Sequence, residues 1–423
     1  MPSADATSNV TSNATSNAMS NSDTQHDAIN ARSVEFLLTV EGRAAAAQLV
    51  AVEDDQLLKE LAHLRRRFTP EQAGALVALA RLRRRAATKF PAADRLFFTN
   101  AALEQATAYP IAIHRAEHIH QHAPPGPVLD LGCGIGGDTL ALAQYRPVIA
   151  YETDPVRLRL AQANVEAMGL GTQVVFRHAD WTLELAEGRL PPAAAAFADP
   201  ARRVGEQRVF RLDQIQPPIS ELLRLQAEIP ALGVKVMPGV DKSEVPPNCG
   251  VEFISHEGTC KEAVLWFDVL ATDPIWASVH TSTGWQMLND TTLPPLGPLS
   301  AGMTLHEPDP AVIRAGTFAP LCRVLDAHLF DPMIAYLVGN KAVTHPLVQS
   351  FHILEIHPFN LKTLQARLQA LGISRVELKK RGAPFAPESL RGRLRLPAGN
   401  RAGVVIFTRQ GDSHLMLLAE RLG

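Results

Sequence analysis

The chain has 423 residues, 46% of them hydrophobic, which is material for more than one core at the usual domain size of about 100–200 residues. A formal net charge of −2 excludes a bulk polycation, so any nucleic-acid contact has to come from local clusters of Lys and Arg. Cys133, Cys249, Cys260 and Cys322 lack CxxC or CxxxC spacing, no apolar run approaches the roughly 20 residues of a membrane span, and the first residues lack the basic-then-apolar order of a secretion signal; no zinc site, disulfide framework or membrane anchor is expected, and a cytoplasmic setting fits.

Residues 1–28 repeat a TSN/MSN unit with almost nothing apolar, so the segment reads as a disordered tail that cannot offset its own ordering entropy. A helical region is expected over residues 29–122. Leu57, Leu58, Leu61 and Leu64, then Leu76, Leu79 and Leu82, recur at three- and four-residue steps. Two basic runs interrupt this pattern, Arg65–Arg67 and Arg81–Lys89. Asn100 reads as the N-cap of a helix over about Ala101–Tyr109. His114 and His118 have metal-ligand spacing, but no acidic third ligand is evident and a solvated helix face is expected.

From Pro127 onward short apolar runs alternate with helical stretches. VLDL, VIAYE, VVFRHAD, AAAAFADP, LGVKVMPG, CGVEFISHEG and EAVLWFDVL read as seven strands. The pattern predicts a doubly wound α/β core over residues 123–275, with the last two strands as an antiparallel hairpin at the edge. A hairpin-like stretch at Trp276–Leu288 and a Pro-rich link complete residues 276–300. Residues 301–423 read as a separate α+β module. Its end is strand Phe351–Ile356, helix Leu361–Leu371, strand Arg375–Lys379, helix Pro387–Leu394 and strands Gly403–Thr408 and His414–Ala419.

The segment Asp130-Leu-Gly132-Cys-Gly134-Ile-Gly136-Gly137-Asp138 joins a strand to a helix. Its glycines let the backbone pass close to a ligand, and the helix start offers free N–H groups. With Gly132, Gly134 and Gly137 it also satisfies the dinucleotide pattern GxGxxG, so the neighbours have to decide. Asp130 stands where a dehydrogenase usually keeps an apolar residue. A carboxylate there suits a cationic amino group and would repel a pyrophosphate. Glu152 closes the next strand, placed to accept from both ribose hydroxyls, and Asp180 follows the third strand, placed to accept from an adenine amino group. This set points to S-adenosylmethionine.

On these residues, Val128–Asn164 resembles the class I methyltransferases. The longer set KFPAADRLFFTNAALEQAT, DLGCGIGGD, ADPARR, VKVMPG, EPDPAVIRAG, LEIHPFNLK, ELKKRGAP and GVVIFTR resembles a bacterial class I family that ends in a THUMP-like domain. The resemblance implies a Rossmann-like seven-stranded methyltransferase core, S-adenosylmethionine as cofactor and structured RNA, tRNA or rRNA, as partner. The chain is similar at greater distance to cap-guanosine and other RNA N-methyltransferases, where a segment before the glycine loop helps hold the cofactor. That segment matches Phe98–Thr107 and implies Gln105 and Thr107 near the methionine carboxylate.

Amino-group methyltransferases carry Asp or Asn, then Pro-Pro and an aromatic residue, after the fourth strand. Asp199 and Pro200 keep the first half of that pattern; Ala201 and Arg202 abandon the second. Asp199, Pro200 and Arg202 are the expected catalytic edge, with Arg202 and Arg203 able to hold a phosphate or carboxylate. Lys235, inside an apolar strand, needs either a partner or the mouth of a cleft. Lys379–Arg381 and Arg391, Arg393 and Arg395 add a third basic cluster. Two other readings stay open: an RNA-binding protein with an inactive methyltransferase fold, and a methyltransferase acting on a small molecule or protein.

Overall fold

A computed structural model describes residues 29–50, 52–53, 56–201, 203–204, 207–208 and 211–422. The tail at residues 1–28 and the expected catalytic Arg202 lie outside the described residues. Helices α1 (Ala31–Leu37), α2 (Val40–Gln48), α3 (Leu57–Leu64), α4 (Pro70–Ala86), α5 (Asn100–Gln105) and α6 (Tyr109–His122) form the N-terminal region. A capping box between Thr69 and Gln72, with Pro70 in the first turn, starts α4. Its leucines are buried as their spacing predicts, but Arg83 turns inward and donates to the carbonyls of Leu96 and Ala46. Part of that basic run is therefore structural, whereas Arg65–Arg67 are exposed. Thr99, not Asn100, caps α5: its hydroxyl accepts from the Ala102 amide at 3.2 Å. Pro110 starts α6 rather than lying within one continuous helix.

The core sheet contains β1 (Val128–Leu131), β2 (Val148–Glu152), β3 (Val174–His178), β4 (Ala195–Ala198), β5 (Leu232–Val236), β6 (Cys249–His256), β7 (Thr259–Phe267), β8 (Ile275–Thr281) and β9 (Gly284–Leu288). Their spatial order is β9-β8-β6-β7-β5-β4-β1-β2-β3. Strands β1 to β5 run parallel, and β7 is antiparallel to both β5 and β6. The β6–β7 hairpin is thus present but is not at the edge. Strand β8 adds in parallel to β6, and β9 returns against β8. The short turn explains the antiparallel pairing; the hairpin-like stretch expected at Trp276–Leu288 is present as β8 and β9, but it extends the core sheet beside β6 and so takes the edge.

Helices α6, α7 (Gly137–Leu142) and α8 (Pro155–Ala167) share one apolar cluster with the N-terminal helices. Leu222 and Leu225 of α10 (Ile219–Glu228) join a second cluster, together with residues of α11 (Pro310–Ala315) and α12 (Ala319–Leu325). The C-terminal module therefore packs directly on the core sheet. Its own sheet comprises β10 (Thr304–Pro308), β11 (Ala327–Leu329), β12 (Leu337–Gly339), β13 (Val348–Pro358), β14 (Arg375–Lys380), β15 (Ala402–Gln410) and β16 (Ser413–Leu422), in the order β11-β12-β10-β13-β16-β15-β14. Helix α13 (Leu361–Ala370) buries Leu364 and Leu368 against it. The last strands and both terminal helices of this module fall where the sequence pattern places them; the final helix is shorter, Glu388–Arg391.

Candidate active site

Strand order reverses between β1 and β4, and in such sheets the crevice beyond the carboxyl ends of the strands receives the ligand. The glycine loop sits there. Gly132, Gly134 and Gly136 have φ of 90°, 58° and 89°, a backbone region that residues with a Cβ avoid. The amides of Gly132 and Cys133 donate to the Tyr151 carbonyl at 3.0 and 2.9 Å, so the loop folds back over the end of β2. Glu152 fixes it from the side. Its carboxylate accepts from the amides of Gly134, Thr153 and Asp154, each at 2.9 Å. A Cβ at Gly134 would meet no heavy atom within 4 Å, which leaves the space above the loop open to a ligand.

Two segments flank the loop. The Thr107 carbonyl lies 4.0 Å from where a Gly137 Cβ would be, and the Asp199 carbonyl 3.5 Å from that of Gly132. Thr107 is buried, whereas Gln105 is exposed at the end of α5. Lys89 ties this segment down by donating to the carbonyls of Leu103 and Ala106 at 2.8 and 3.1 Å. Asp180 is exposed and caps α9 (Trp181–Ala186), accepting from the Thr182 amide and hydroxyl through Oδ1. Its second oxygen accepts no hydrogen bond among the described residues. Pro200 is buried, and Ala201 pairs with Gln216, which brings that later residue alongside the expected catalytic edge.

The electrostatics concentrate on one face of the sheet. Asp130 pairs in register with Phe197, and Phe197 with Gly233, so Asp130, Phe197 and, one pleat on, Asp199 and Lys235 share a face. Asp130 is 1% exposed and accepts from the Thr139 hydroxyl. Burial first, then the neighbouring Asp138 and Asp199, push its carboxyl up to about 8. Arg115 of α6 crosses above, its guanidinium 4.5 Å from the Phe197 ring centroid, and pairs with Asp138 and Glu262. Burial works against the Arg115 charge, and the two carboxylates more than offset it; Glu262 nevertheless stays raised because it is itself fully buried. Lys235 donates to Asp199 Oδ2 at 2.7 Å and to the Thr107 hydroxyl at 2.9 Å. It thereby joins the segment before the loop to the end of β4.

The histidines do not form a solvated face. His114 is buried and bonds Glu252 at 2.6 Å, and His118 bonds the Leu270 carbonyl at 2.8 Å among Trp266 and Trp276. Burial opposes the charge on His114, but Glu252 outweighs it and raises the imidazole, while Glu252 is held down at about 2. Among the described residues no group of three potential ligands could hold a metal, and no helix is long and apolar enough to cross a membrane.

Comparison with known proteins decides the family. The chain is 33% identical over 362 residues to an S-adenosylmethionine-dependent methyltransferase of Mycobacterium tuberculosis that is itself uncharacterised, covering 83% of this chain and 97% of that protein. The chain belongs to the S-adenosylmethionine-dependent methyltransferases. Within this methyltransferase, residues 126–200 match the RNA cap guanine-N2 methyltransferase family and residues 348–421 a THUMP domain-like family. Residues 30–86 match a domain of unknown function. Trimethylguanosine synthase of Schizosaccharomyces pombe is 32% identical over 71 residues, 16% of this chain and 30% of that enzyme. A crystal structure of a candidate methyltransferase from Porphyromonas gingivalis W83 shares the fold at TM-score 0.67 and 16% identity, covering 88% of this chain and 99% of that one.

The residues at the loop fit the cofactor. Asp130 suits the ligand's amino group, a second lone pair of Glu152 the ribose, and the open space above Gly134 a close backbone approach. The cofactor supplies a methyl group already activated on a sulfonium, so the chain has mainly to orient the acceptor. Arg115, Glu262 and Lys89 were not legible as parts of this site, and Asp138 was read only as the end of the glycine loop. A signal for Arg115 did exist: it lies on the same helix stripe as the buried Ile111, Ala112 and Ile119.

Proposed function

We propose that this methyltransferase modifies structured RNA, tRNA or rRNA. Asp130, Gly132, Gly134, Gly136 and Glu152 hold the cofactor, with Thr107 and Gln105 on its methionine side and Asp180 at the adenine. Asp199 and Pro200 form the acceptor edge, to which Arg202 contributes a cation. The observation that carries the RNA reading is the THUMP-like match at residues 348–421, on a module that packs against the core sheet through α11 and α12. The guanine-N2 family match at residues 126–200 supports it from the cofactor side.

The charge pattern of the module narrows where RNA would touch. Lys379 and Arg381 are both committed to Glu307, so they are poor phosphate ligands. Arg391 and Arg393 are exposed and form no ion pair among the described residues; Arg391 lines a groove with Arg375, while Arg421 in the same groove is committed to Glu377. Phosphate contacts of this kind make binding salt-dependent. The test is to incubate the purified protein with methyl-labelled S-adenosylmethionine and total RNA from cells lacking the gene, beside an Asp130→Ala control. Label in RNA with the wild type alone is expected; absence of label despite measured cofactor binding would remove RNA as the acceptor.

A further inference from the structure

The segment EPDPAVIRAG, Glu307–Gly316, opens the C-terminal module, and most of its residues have a structural task. Glu307 holds Lys379 and Arg381. Asp309 caps α11, accepting from the Ala311 amide at 2.8 Å, and its other oxygen accepts from the Ser255 hydroxyl of β6 at 2.9 Å. Ala311, Val312 and Ala315 are buried in the cluster shared with the core sheet. The Ala315 carbonyl accepts from Lys242 at 3.2 Å, and Gly316, with φ of 81°, ends the helix. Arg314 is left over. It is exposed and forms no hydrogen bond or ion pair among the described residues, and its Nη1 lies 3.9 Å from where a Gly239 Cβ would be. A cation in the last turn of a helix is favourable wherever its tip points, so α11 alone does not require the guanidinium to reach Gly239.

Gly239 follows β5 by three residues, which puts Arg314 at the carboxyl edge of the sheet, where the cofactor crevice opens. Strands β6 and β8 run parallel to β5, so His256 and His280 near their ends, and the start of β7, reach the same edge. A bulge interrupts the β6–β7 hairpin there: Ile254 pairs with Glu262 and Ser255 with Cys260, which leaves Lys261 opposite no partner. Bulges of this kind re-aim a side chain, and Lys261 is exposed, with no ion pair among the described residues. Burial first, then Lys235 and Lys261, pull the Lys89 ammonium below its usual value, which links Lys261 through Lys89 to Lys235, the partner of Asp199. Glu257 is the exposed acid of the turn; Asp309 is taken by α11 and Ser255, and Glu262 by Arg115. The edge therefore carries two uncommitted cations beside the acceptor position, contributed by the module and by the core.

We propose that this edge is a phosphate-binding lip, on which Arg314 and Lys261 hold the backbone of the RNA strand whose nucleotide enters at Asp199. The inference rests on the RNA reading above. A guanidinium presents a fork to a phosphate and an ammonium a point charge, and both are placed here without a competing carboxylate. Inside the crevice the signs are reversed: Asp138, Asp199 and Glu262 disfavour a phosphate there. The backbone is thus held at the rim while the acid-lined interior keeps the cationic cofactor. Because Arg314 belongs to the module and Lys261 to the core, the packing of α11 on the core sheet completes a substrate path as well as a fold.

The experiment measures initial rates of methyl transfer into total RNA from cells lacking the gene, against RNA concentration, between about 50 and 200 mM salt. In Arg314→Ala/Lys261→Ala, log kcat/KM should depend less steeply on log salt, by about 0.7–0.9 for each lost contact, which corresponds to roughly a sixfold rise in KM per contact at about 0.1 M salt. The kcat at saturating RNA and the affinity for S-adenosylhomocysteine should stay within about threefold of wild type, as for a contact made equally in ground and transition states. Arg314→Lys should retain the wild-type salt slope, since a point charge is enough for it. An unchanged slope and KM in the double variant, or a loss confined to kcat, overturns the lip and leaves the RNA reading intact. So does an equal loss in Arg32→Ala/Lys59→Ala, which removes two exposed cations from α1 and α3. No label in RNA with the wild type overturns both.

Discussion

Asp130→Asn should remove a proton-linked component of both stability and cofactor binding. In the folded protein burial, Asp138 and Asp199 push the Asp130 carboxyl up to about 8, from an ordinary value of 3.8. The sign follows directly. Below its unfolded value the acid is protonated in both states and its contribution is fully present. Between about pH 4 and pH 8 the folded state retains a proton that the unfolded state has released, so stability declines as pH rises, by at most about 1.4 kcal/mol per pH unit. Coupling to Asp138 and Asp199 spreads and reduces that slope. The carboxamide introduced by Asp130→Asn can still accept from Thr139 and carries no such proton. Urea unfolding at pH 5.5, 6.5 and 7.5 should therefore show the wild type losing stability relative to Asp130→Asn across this window. If the cofactor's amino group meets Asp130, binding requires the carboxylate and expels the proton. Calorimetry of S-adenosylhomocysteine binding at pH 7, in buffers of different ionisation enthalpy, should find a fraction approaching one proton released by wild type and less by the variant. Parallel pH dependence of stability, together with equal proton release, would refute the reasoning.

Gly134→Ala should cost about 1–2 kcal/mol of stability for a left-handed residue with a Cβ, and lower S-adenosylhomocysteine affinity further, since the methyl enters the open side of the loop; unchanged affinity by calorimetry would place the cofactor elsewhere. Arg115→Met leaves the buried Glu262 and the partly buried Asp138 without their shared cation and should destabilise by about 3–5 kcal/mol in urea titrations. His114 is raised by Glu252, so its contribution is present below about pH 6.5, the unfolded value, and is lost as pH rises through the folded one; Glu252→Gln should flatten that part of the wild-type stability profile.

The glycine loop was legible because its geometry is local: Gly132, Gly134 and Gly136, which take positive φ, stand together in sequence just after β1. The bond from the Gly134 amide to Glu152, 18 positions on, was not legible, because it needs the β1–β2 pairing to bring the two together. The acceptor half was less legible because it is assembled across strands. Lys235 could be recognised as needing a partner, but whether Asp199 would be that partner depended on the β4–β5 register. Arg115 and Glu262 are 147 positions apart and meet only through helix packing on the sheet. His114 and His118 read as polar on a polar-looking helix. They are buried because β8 and β9 extend the sheet, bringing Ser278 to Glu252 and Trp285 to the His114 ring.

That extension bears on why the face can hold so many charges. Asp130, Asp138, Asp199 and Glu262 are gathered around Arg115 and Lys235, so without ligand the acids outnumber the cations that touch them. A buried excess of negative charge is unfavourable unless a proton or a cation relieves it. In the free protein the proton on Asp130 does so. A cofactor bearing an amino group and a sulfonium can take over that role, replacing a mobile proton with fixed charge. The glycine loop then provides shape, while the acid cluster provides selection for a cationic ligand over a pyrophosphate.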